Sequence, residues 1–286
     1  LRVQGILLSW PRVFALLMVG VFFNFFVPGG TGGDMVKVYY LLQETPGQRA
    51  KALLSVVVDR VIGILALVVL AAVLIALHWP WLAEPPATSG YVWITLGILA
   101  AMVAGLLFSF AITGFGLVHR LPPRFPLRDR MAELALGYNS YGRAWRTTLA
   151  AFVVSIVTHL SYFYVFYCAA RAFGTSGTRI PSVGELFAVM PIVNTITAMP
   201  VSLGGVGVRE GLFEVFLHSL CGVTQAVAVV ISSTGYLLTL AWGLIGGLIY
   251  MAYRPTEHAR LNQMRQTVED FEHKVAGREM AAEKRG

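Results

Sequence analysis

The sequence predicts an all-α polytopic membrane protein with an inverted repeat, two opposed re-entrant helical hairpins and several full transmembrane spans. Apolar residues make up 56% of the chain and charged residues only 13%, which is more apolar and less charged than a soluble domain. Several apolar runs reach the ~20 residues that cross a hydrocarbon core about 30 Å thick. Two glycine-rich breaks, the first break at 24–34 and the second break at 200–210, interrupt shorter apolar runs.

The first break reads Asn-Phe-Phe-Val-Pro-Gly-Gly-Thr-Gly-Gly-Asp. Proline lacks an N–H and each glycine costs about 1 kcal/mol in a helix, so the apolar run 10–27 cannot continue through it as a helix. That run is only about 27 Å long as a helix, and 35–43 would make a half-length return. Exposed backbone is tolerated in a bilayer only where protein or a water-filled cavity covers it. A segment that enters the membrane and returns therefore fits better than two full spans.

The second break repeats the pattern of the first. In both breaks, paired glycines lie four and five residues after a proline, Pro28 or Pro200. The apolar run 182–199 leads into the second break, and 208–221 leads out of it. We therefore predict two re-entrant hairpins whose tips are the two breaks.

Four further apolar runs are long enough to be full spans, at 53–77, 91–114, 149–170 and 225–252. The membrane domain is expected to cover 1–253, with a first repeat at about 1–78 and a second at about 149–253. A basic segment at 115–148 lies between the repeats, and a charged tail at 254–286 follows the membrane domain.

Positive charge predicts how the chain lies in a bacterial-type cytoplasmic (inner) membrane. Loops rich in Lys and Arg stay on the cytoplasmic side, which places the basic segment and the tail there, with 131–145 along the membrane surface. The loop 78–90 carries no Lys or Arg and is expected outside. The first hairpin then opens toward the cytoplasm and the second toward the outside, so that the two tips meet near the membrane midplane.

A weak sequence similarity between the segments ahead of the two breaks supports the inverted repeat. The Arg–x–x–Gly motif at 2–5 recurs at 171–174, and each copy is followed by a serine, Ser9 or Ser182, with a phenylalanine five residues later. Matching Gly/Pro-interrupted segments in opposite topology are the best sequence pointer to the binding site of a transporter. Because the second copy directly follows a full span, we expect another span ahead of the first copy.

Composition and motifs exclude several other classes of protein. The net charge of +7 is explained by basic cytoplasmic loops, and no nucleic-acid-binding motif is present. The sequence contains no zinc-ligand spacing, nucleotide-binding loop or Ser/His/Asp order, so no cofactor, metal or catalytic residue is predicted.

The two breaks and the span between them resemble the transmembrane-region family of lysylphosphatidylglycerol synthetases, a flippase-like family. The matching stretches are 22–34, Asp59-Arg60 with Gly63, and 200–210, and the resemblance extends from Leu1 to about 253. In the multiple peptide resistance factor, a related membrane region moves an aminoacylated phospholipid between leaflets, and a separate cytosolic domain adds the amino acid. The resemblance implies lipid movement. The tail is too short to match that cytosolic domain, so aminoacyl transfer is not expected.

Ionisable groups within membrane segments cost about 2.5–3.5 kcal/mol each on insertion scales, so by default they pair or line a cavity. Arg60 and Arg209 are expected near the tips, because an arginine fork matches the oxygens of a lipid phosphate. Freed glycine N–H groups would add a backbone anion site. Asp34 and Glu210 would balance the arginines or receive a cationic headgroup. The alternative is a set of structural ion pairs that brace the hairpins.

Three neighbouring acid–base pairs, two asparagines and the break glycines therefore form the predicted substrate site. Asp59 and Arg60 point about 100° apart on a helix, so each is expected to find its partner elsewhere, and the asparagines are expected to bond freed carbonyls at the breaks. The predicted substrate-binding residues are Asn24, Gly29, Gly30, Gly32, Gly33, Asp34, Lys37, Asp59, Arg60, Asn194, Gly204, Gly205, Gly207, Arg209 and Glu210.

These observations favour a transporter over an enzyme. The first hypothesis is a flippase or scramblase-like protein that moves a phospholipid or another lipid-linked headgroup between the hairpins. The second is an integral-membrane lipid-modifying enzyme with Asp34 or Glu210 in acid–base chemistry. The inverted repeat favours the transporter, because an enzyme does not need access from both faces of the membrane. The third is a non-transporting scaffold for a lipid-modifying partner. The expected partner is a membrane lipid with an anionic or zwitterionic headgroup and not nucleic acid, while a homo-oligomer and a lipid-synthesising partner stay open.

Overall fold

The computed structural model describes residues 1–25, 32–45, 47–114, 140–141, 143–174, 179–199 and 202–252. Within these ranges the chain is helical and has no strands. The helices in these ranges are α1 (Trp10–Asn24), α2 (Gly32–Glu44), α3 (Arg49–Leu77), α4 (Trp79–Ala83), α5 (Pro86–Gly114), α6 (Trp145–Ala172), α7 (Val183–Thr197), α8 (Val208–Cys221) and α9 (Gln225–Ala252). The predicted all-α architecture is confirmed at this level.

Four of these helices, α3, α5, α6 and α9, are long and apolar enough to cross a membrane. Each contains one of the four predicted spans, and each exposes large apolar side chains, among them Val73, Trp93, Val154 and Leu248. A soluble monomer rarely exposes large contiguous apolar patches. These helices therefore define an integral membrane protein, with the exposed side chains suited to contact lipid.

The helices extend into two regions that the sequence interpretation left outside the spans. The predicted loop 78–90 contains α4 and the start of α5. The side chain of Leu82 in α4 is fully buried, and the Thr88 hydroxyl in α5 donates a hydrogen bond to the Leu82 carbonyl oxygen at 2.8 Å. These two contacts hold the short helix against α5. The helix that contains the predicted span 149–170 begins at Trp145 and so includes the last four residues of the predicted basic segment 115–148. Residues 115–139 and 142 of that segment, including most of the predicted surface helix 131–145, lie outside the described residues, as does the tail.

The short helices form two packed pairs. Helices α1 and α2 run antiparallel: Asn24 contacts Gly33 close to the break, and Arg12 lies 3.9 Å from Glu44 at the far ends. At 15 and 13 residues they are about 20–23 Å long, short of a full crossing. Helices α7 and α8, which flank the second break, also contact each other. The residues 26–31 and 200–201 lie outside the described ranges.

The main hydrophobic core lies between α7 and the helices that pack on it. Ser182 caps α7 by accepting a hydrogen bond from the Glu185 N–H, and the Glu185 side chain accepts one from the Ser182 N–H, which satisfies two of the free N–H groups at a helix start. The fully buried rings in this core belong to α6 and α8 and are Phe163, Phe166, Phe213 and Phe216.

Helix α9 approaches α1 closely along a glycine face. An added Cβ would lie 2.0 Å from the Met18 carbonyl oxygen at Gly246, 2.8 Å from the Phe22 ring at Gly247 and 2.4 Å from the Phe25 ring at Gly243. Small residues allow two membrane helices to approach this closely. This packing holds the C-terminal half of α1 against the C-terminal half of α9.

We predict that Gly246→Ala lowers the melting temperature of the detergent-solubilised protein. The new methyl group would meet backbone and force α1 away, and such overpacking costs about 1–3 kcal/mol. Gly97→Ala on α5 is the matched control, since nothing lies within 4 Å of its added Cβ and alanine favours a helix. Equal melting temperatures for the two variants would contradict this packing.

Candidate functional site

At the first break, Asn24 satisfies a free backbone group. Its Oδ1 accepts a hydrogen bond from the Gly33 N–H at 2.8 Å, one of the first-turn N–H groups of α2 that have no helical partner. Asn24 was expected to bond a freed carbonyl, and the bond that the structure shows is to a donor, since the unsatisfied groups at a helix start are N–H groups. An added Cβ at Gly33 would lie 2.0 Å from the Gly20 carbonyl oxygen, so only glycine fits there.

Asp34 forms ion pairs with two cations, Lys37 and Arg60, beside this break. It lies in the first turn of α2, where the helix dipole favours a carboxylate. Lys37 Nζ lies 3.5 Å from its Oδ1, and Arg60 Nε of α3 donates to its Oδ2. As expected, Arg60 does not pair with its neighbour. Asp59 is exposed and makes no ion pair within the described residues, so the structure does not bring it into this cluster.

The second break uses glycine conformations that other residues adopt rarely. Gly204, Gly205 and Gly207 have φ angles of 58°, 81° and 84°, in the left-handed region that favours glycine. An added Cβ at Gly205 would lie 3.0 Å from Thr197 Cβ. These turns carry the chain from α7 to α8 within a tightly packed space.

Polar side chains satisfy the backbone of the second break. Arg209 Nη2 donates to the Gly204 carbonyl oxygen at 2.7 Å, and the Gly207 N–H donates to Glu210 Oε2 at 2.6 Å. The fully buried Ser232 of α9 donates from Oγ to Glu210 Oε1 at 3.4 Å. Arg209 and Glu210, paired in the sequence interpretation, do not bond each other, because each closes a different backbone group.

Arg209 is buried without a complete set of partners. Arg209 is only 6% exposed. Within the described part of the chain, its Nε and Nη1 atoms have no hydrogen-bond partner. Its guanidinium carbon lies 4.7 Å from the centre of the Tyr236 ring, a distance at which a cation is attracted to the ring face.

Tyr236 connects the two breaks, and sequence reasoning did not select it. Its ring also meets Phe25, at the end of α1, edge to face with centroids 5.8 Å apart, and its hydroxyl lies 2.6 Å from where a Cβ on Gly204 would stand. The available signal was positional: Tyr236 and Arg60 lie equally far from the starts of α9 and α3.

The remaining predicted residues divide into three outcomes. Gly32 and Gly33 are buried in the first turn of α2 and therefore helical. Gly29 and Gly30 lie outside the described residues. Asn194 contributes its carbonyl oxygen to the Ala198 N–H at 3.0 Å, and no side-chain bond of Asn194 is present among the described residues.

These features define a polytopic integral membrane protein whose polar groups converge at two glycine-rich helix breaks. The chain belongs to the lysylphosphatidylglycerol synthase TM region family, whose model matches residues 1–247. It is also similar to the glycosyltransferase AglD of Haloferax volcanii, with 26% identity over 210 residues. That match covers 68% of this chain and 32% of the relative, so the chain spans about a third of that protein. No solved structure matches the chain.

We predict that Asp34→Asn destabilises the protein and that Asp59→Asn does not. The first substitution removes the charge that holds Arg60 and Lys37, and a hydrogen bond to a charged group contributes about 1.5–3 kcal/mol. The second removes an exposed charge with no ion pair, which changes stability by about 0.5 kcal/mol or less. Thermal unfolding in detergent measures both, and an equal loss in the two variants would argue against the Asp34–Arg60 pair.

Proposed function

We propose that the protein moves a phospholipid or another lipid-linked headgroup across the membrane, through a midplane site between two re-entrant hairpins, α1–α2 and α7–α8. The observation that carries this proposal is the convergence of both breaks on Tyr236, which contacts Phe25 of the first and Arg209 of the second. A polar headgroup would cross between the hairpins while its acyl chains stay in the bilayer.

The helix contacts support an inverted repeat. Helix α2 contacts α3 as α8 contacts α9, and α1 packs on α9 as α7 packs on α3. If each helix of one repeat is replaced by its counterpart in the other repeat, each of these contacts becomes another contact that is present. Ser9 and Ser182, aligned in the sequence, are the N-cap residues of α1 and α7, which have the same length.

The hairpins open at opposite ends of α3, which supports access from two faces. The open end of the first hairpin packs near the start of α3, where Ile6, Leu41 and Ala52 form a buried cluster. The open end of the second lies near the end of α3, where Gly184 adjoins His78. Entry from opposite faces is the arrangement of transporters with inverted repeats.

The charge rule places the basic segment and the tail in the cytoplasm of a bacterial-type cell, in its inner membrane. The proposed domain division is a membrane domain at 1–253, with repeats at about 1–78 and 149–253. The proposed site includes Arg209 and Glu210 at the second break, with Asp34, Lys37 and Arg60 at the first.

A lipid-modifying enzyme is the second candidate, and the name of the similar protein, a glycosyltransferase, favours it. Two observations weigh toward transport. Asp34 is held by two cations, and Glu210 accepts two hydrogen bonds, so each carboxylate already has a structural role at its break. Mass spectrometry of lipids incubated with the protein would detect a modified product, and its appearance would favour the enzyme.

We predict that the purified protein in liposomes speeds the loss of fluorescent-headgroup lipid to dithionite, which reaches only the outer leaflet. Arg209→Ala should slow this exchange about tenfold or more, because a charge-assisted hydrogen bond contributes about 1.5–3 kcal/mol and 1.4 kcal/mol is tenfold. Arg179→Gln is the control: Arg179 lies before α7, away from the break, and its ion pair with Glu185 is exposed, so little depends on it.

The transport proposal fails if folded wild-type protein exchanges lipid no faster than bare liposomes across anionic and zwitterionic headgroups. Deleting the tail then separates the scaffold from the enzyme, since only the scaffold needs a docking surface for a partner.

A further inference from the structure

Arg209 is the one cation at the two breaks that lacks a carboxylate partner in the described part of the chain. Its only hydrogen bond there is to the Gly204 carbonyl oxygen, at 2.7 Å, and its Nε and Nη1 are unpartnered. Glu210 makes no ion pair with it within the described residues, and that carboxylate accepts instead from the Gly207 N–H and from Ser232. A buried charge that is not paired is strongly unfavourable, so the site is incomplete without an anion.

Tyr236 holds Arg209 in place for such an anion. The ring covers one side of the guanidinium at 4.7 Å and partly compensates for its burial. The Gly204 carbonyl oxygen fixes Nη2, which leaves Nε and Nη1 as the open donors. These donors lie at the start of α8, a helix of 14 residues, whose positive end also attracts an anion.

Arg60 is in a different electrostatic situation. Asp34 bonds it and also lies 3.5 Å from Lys37 Nζ. Lys37 and Arg60 share this one carboxylate, and the side chain of Arg60 is 43% exposed, so its charge is only partly buried. Arg209 is only 6% exposed and has no carboxylate contact in the described part of the chain, so it is the buried cation that a bound anion would compensate.

We propose that the anion site is one-sided: Arg209, positioned by Tyr236, is its single anchor and takes one singly charged phosphate diester. Asp34 keeps Arg60 within the ion-pair cluster of the first break, so Arg60 does not hold the phosphate. This assignment rests on the proposed function, whose site it describes.

The test measures binding separately from transport. The full chain in a nonionic detergent is titrated with dioctanoyl phosphatidylglycerol, and binding is followed by native mass spectrometry and by the rise in melting temperature on ligand addition. We expect Arg209→Gln to weaken binding about tenfold or more and to remove the thermal shift. Arg209→Lys, which keeps the charge, should lose less, and the control Arg179→Gln should match wild type. Arg60→Gln should change binding about threefold or less.

Tyr236 is tested as a positioning residue by a double-mutant cycle. Tyr236→Leu removes the ring face and should weaken binding about tenfold, within the range of a desolvated cation–π contact, whereas Tyr236→Phe should stay within about threefold. In the Arg209→Gln background, Tyr236→Leu should have no further effect, because its action passes through the guanidinium. Independent, additive losses would overturn the positioning role.

Inorganic phosphate alone distinguishes the two sources of the anion. A thermal shift with the lipid and none with phosphate assigns a lipid headgroup, and equal shifts assign a soluble phosphate, with Arg209 as anchor in both cases. The proposal is overturned if Arg60→Gln weakens binding as much as Arg209→Gln, or if Arg209→Lys and Arg209→Gln both bind like wild type. Binding at Arg209 without lipid exchange in liposomes would refute only the transport function, and exchange that is insensitive to Arg209→Gln would refute only the one-sided site.

Discussion

The structure depends on satisfying backbone groups where helices stop inside an apolar protein. Water is scarce there, so each freed donor or acceptor needs a partner from the protein. The first break meets this need with Asn24 on the Gly33 N–H. The second meets it with Arg209 on the Gly204 carbonyl and Glu210 on the Gly207 N–H. The polar residues nearest the breaks are therefore partly structural, which limits the charges left for a ligand.

This constraint explains why neighbouring acids and bases separate. Arg209 and Glu210 are adjacent in the chain, yet each forms a hydrogen bond with a different backbone group of the second break. Arg60 forms its ion pair with Asp34 on α2 and not with the adjacent Asp59. Each of these bonds ties a break to itself or to a long helix. The outcome is unequal: the first break holds its carboxylate between two cations, and the second holds a buried guanidinium above an aromatic ring. Two similar sequence motifs thus give two different electrostatic environments.

Local features of the sequence predicted the long helices and the break positions, because the length of an apolar run and the loss of helix at Pro and Gly depend on few neighbours. The helix α4 escaped prediction because five residues with a proline carry no periodicity. Asn194 was matched to Asn24, but the last residue of α7 is Thr197, which packs on Gly205 as Asn24 packs on Gly33. Tyr236 could not be selected from an apolar run, since its role depends on which helix ends meet it in space.

Helix α9 is the element through which the two breaks can influence each other. It packs on α1 through Gly243, Gly246 and Gly247 and contacts α8 through Ser232 and Glu210. Phe25 and Arg209 both contact the ring of Tyr236, so a shift of α1 along the glycine face changes the surroundings of the guanidinium. In the proposed transporter, an anion that binds Arg209 favours those positions of the first hairpin that keep Tyr236 under the guanidinium. Ligand binding at one break would then bias the position of the other, which is the coupling that alternating access requires.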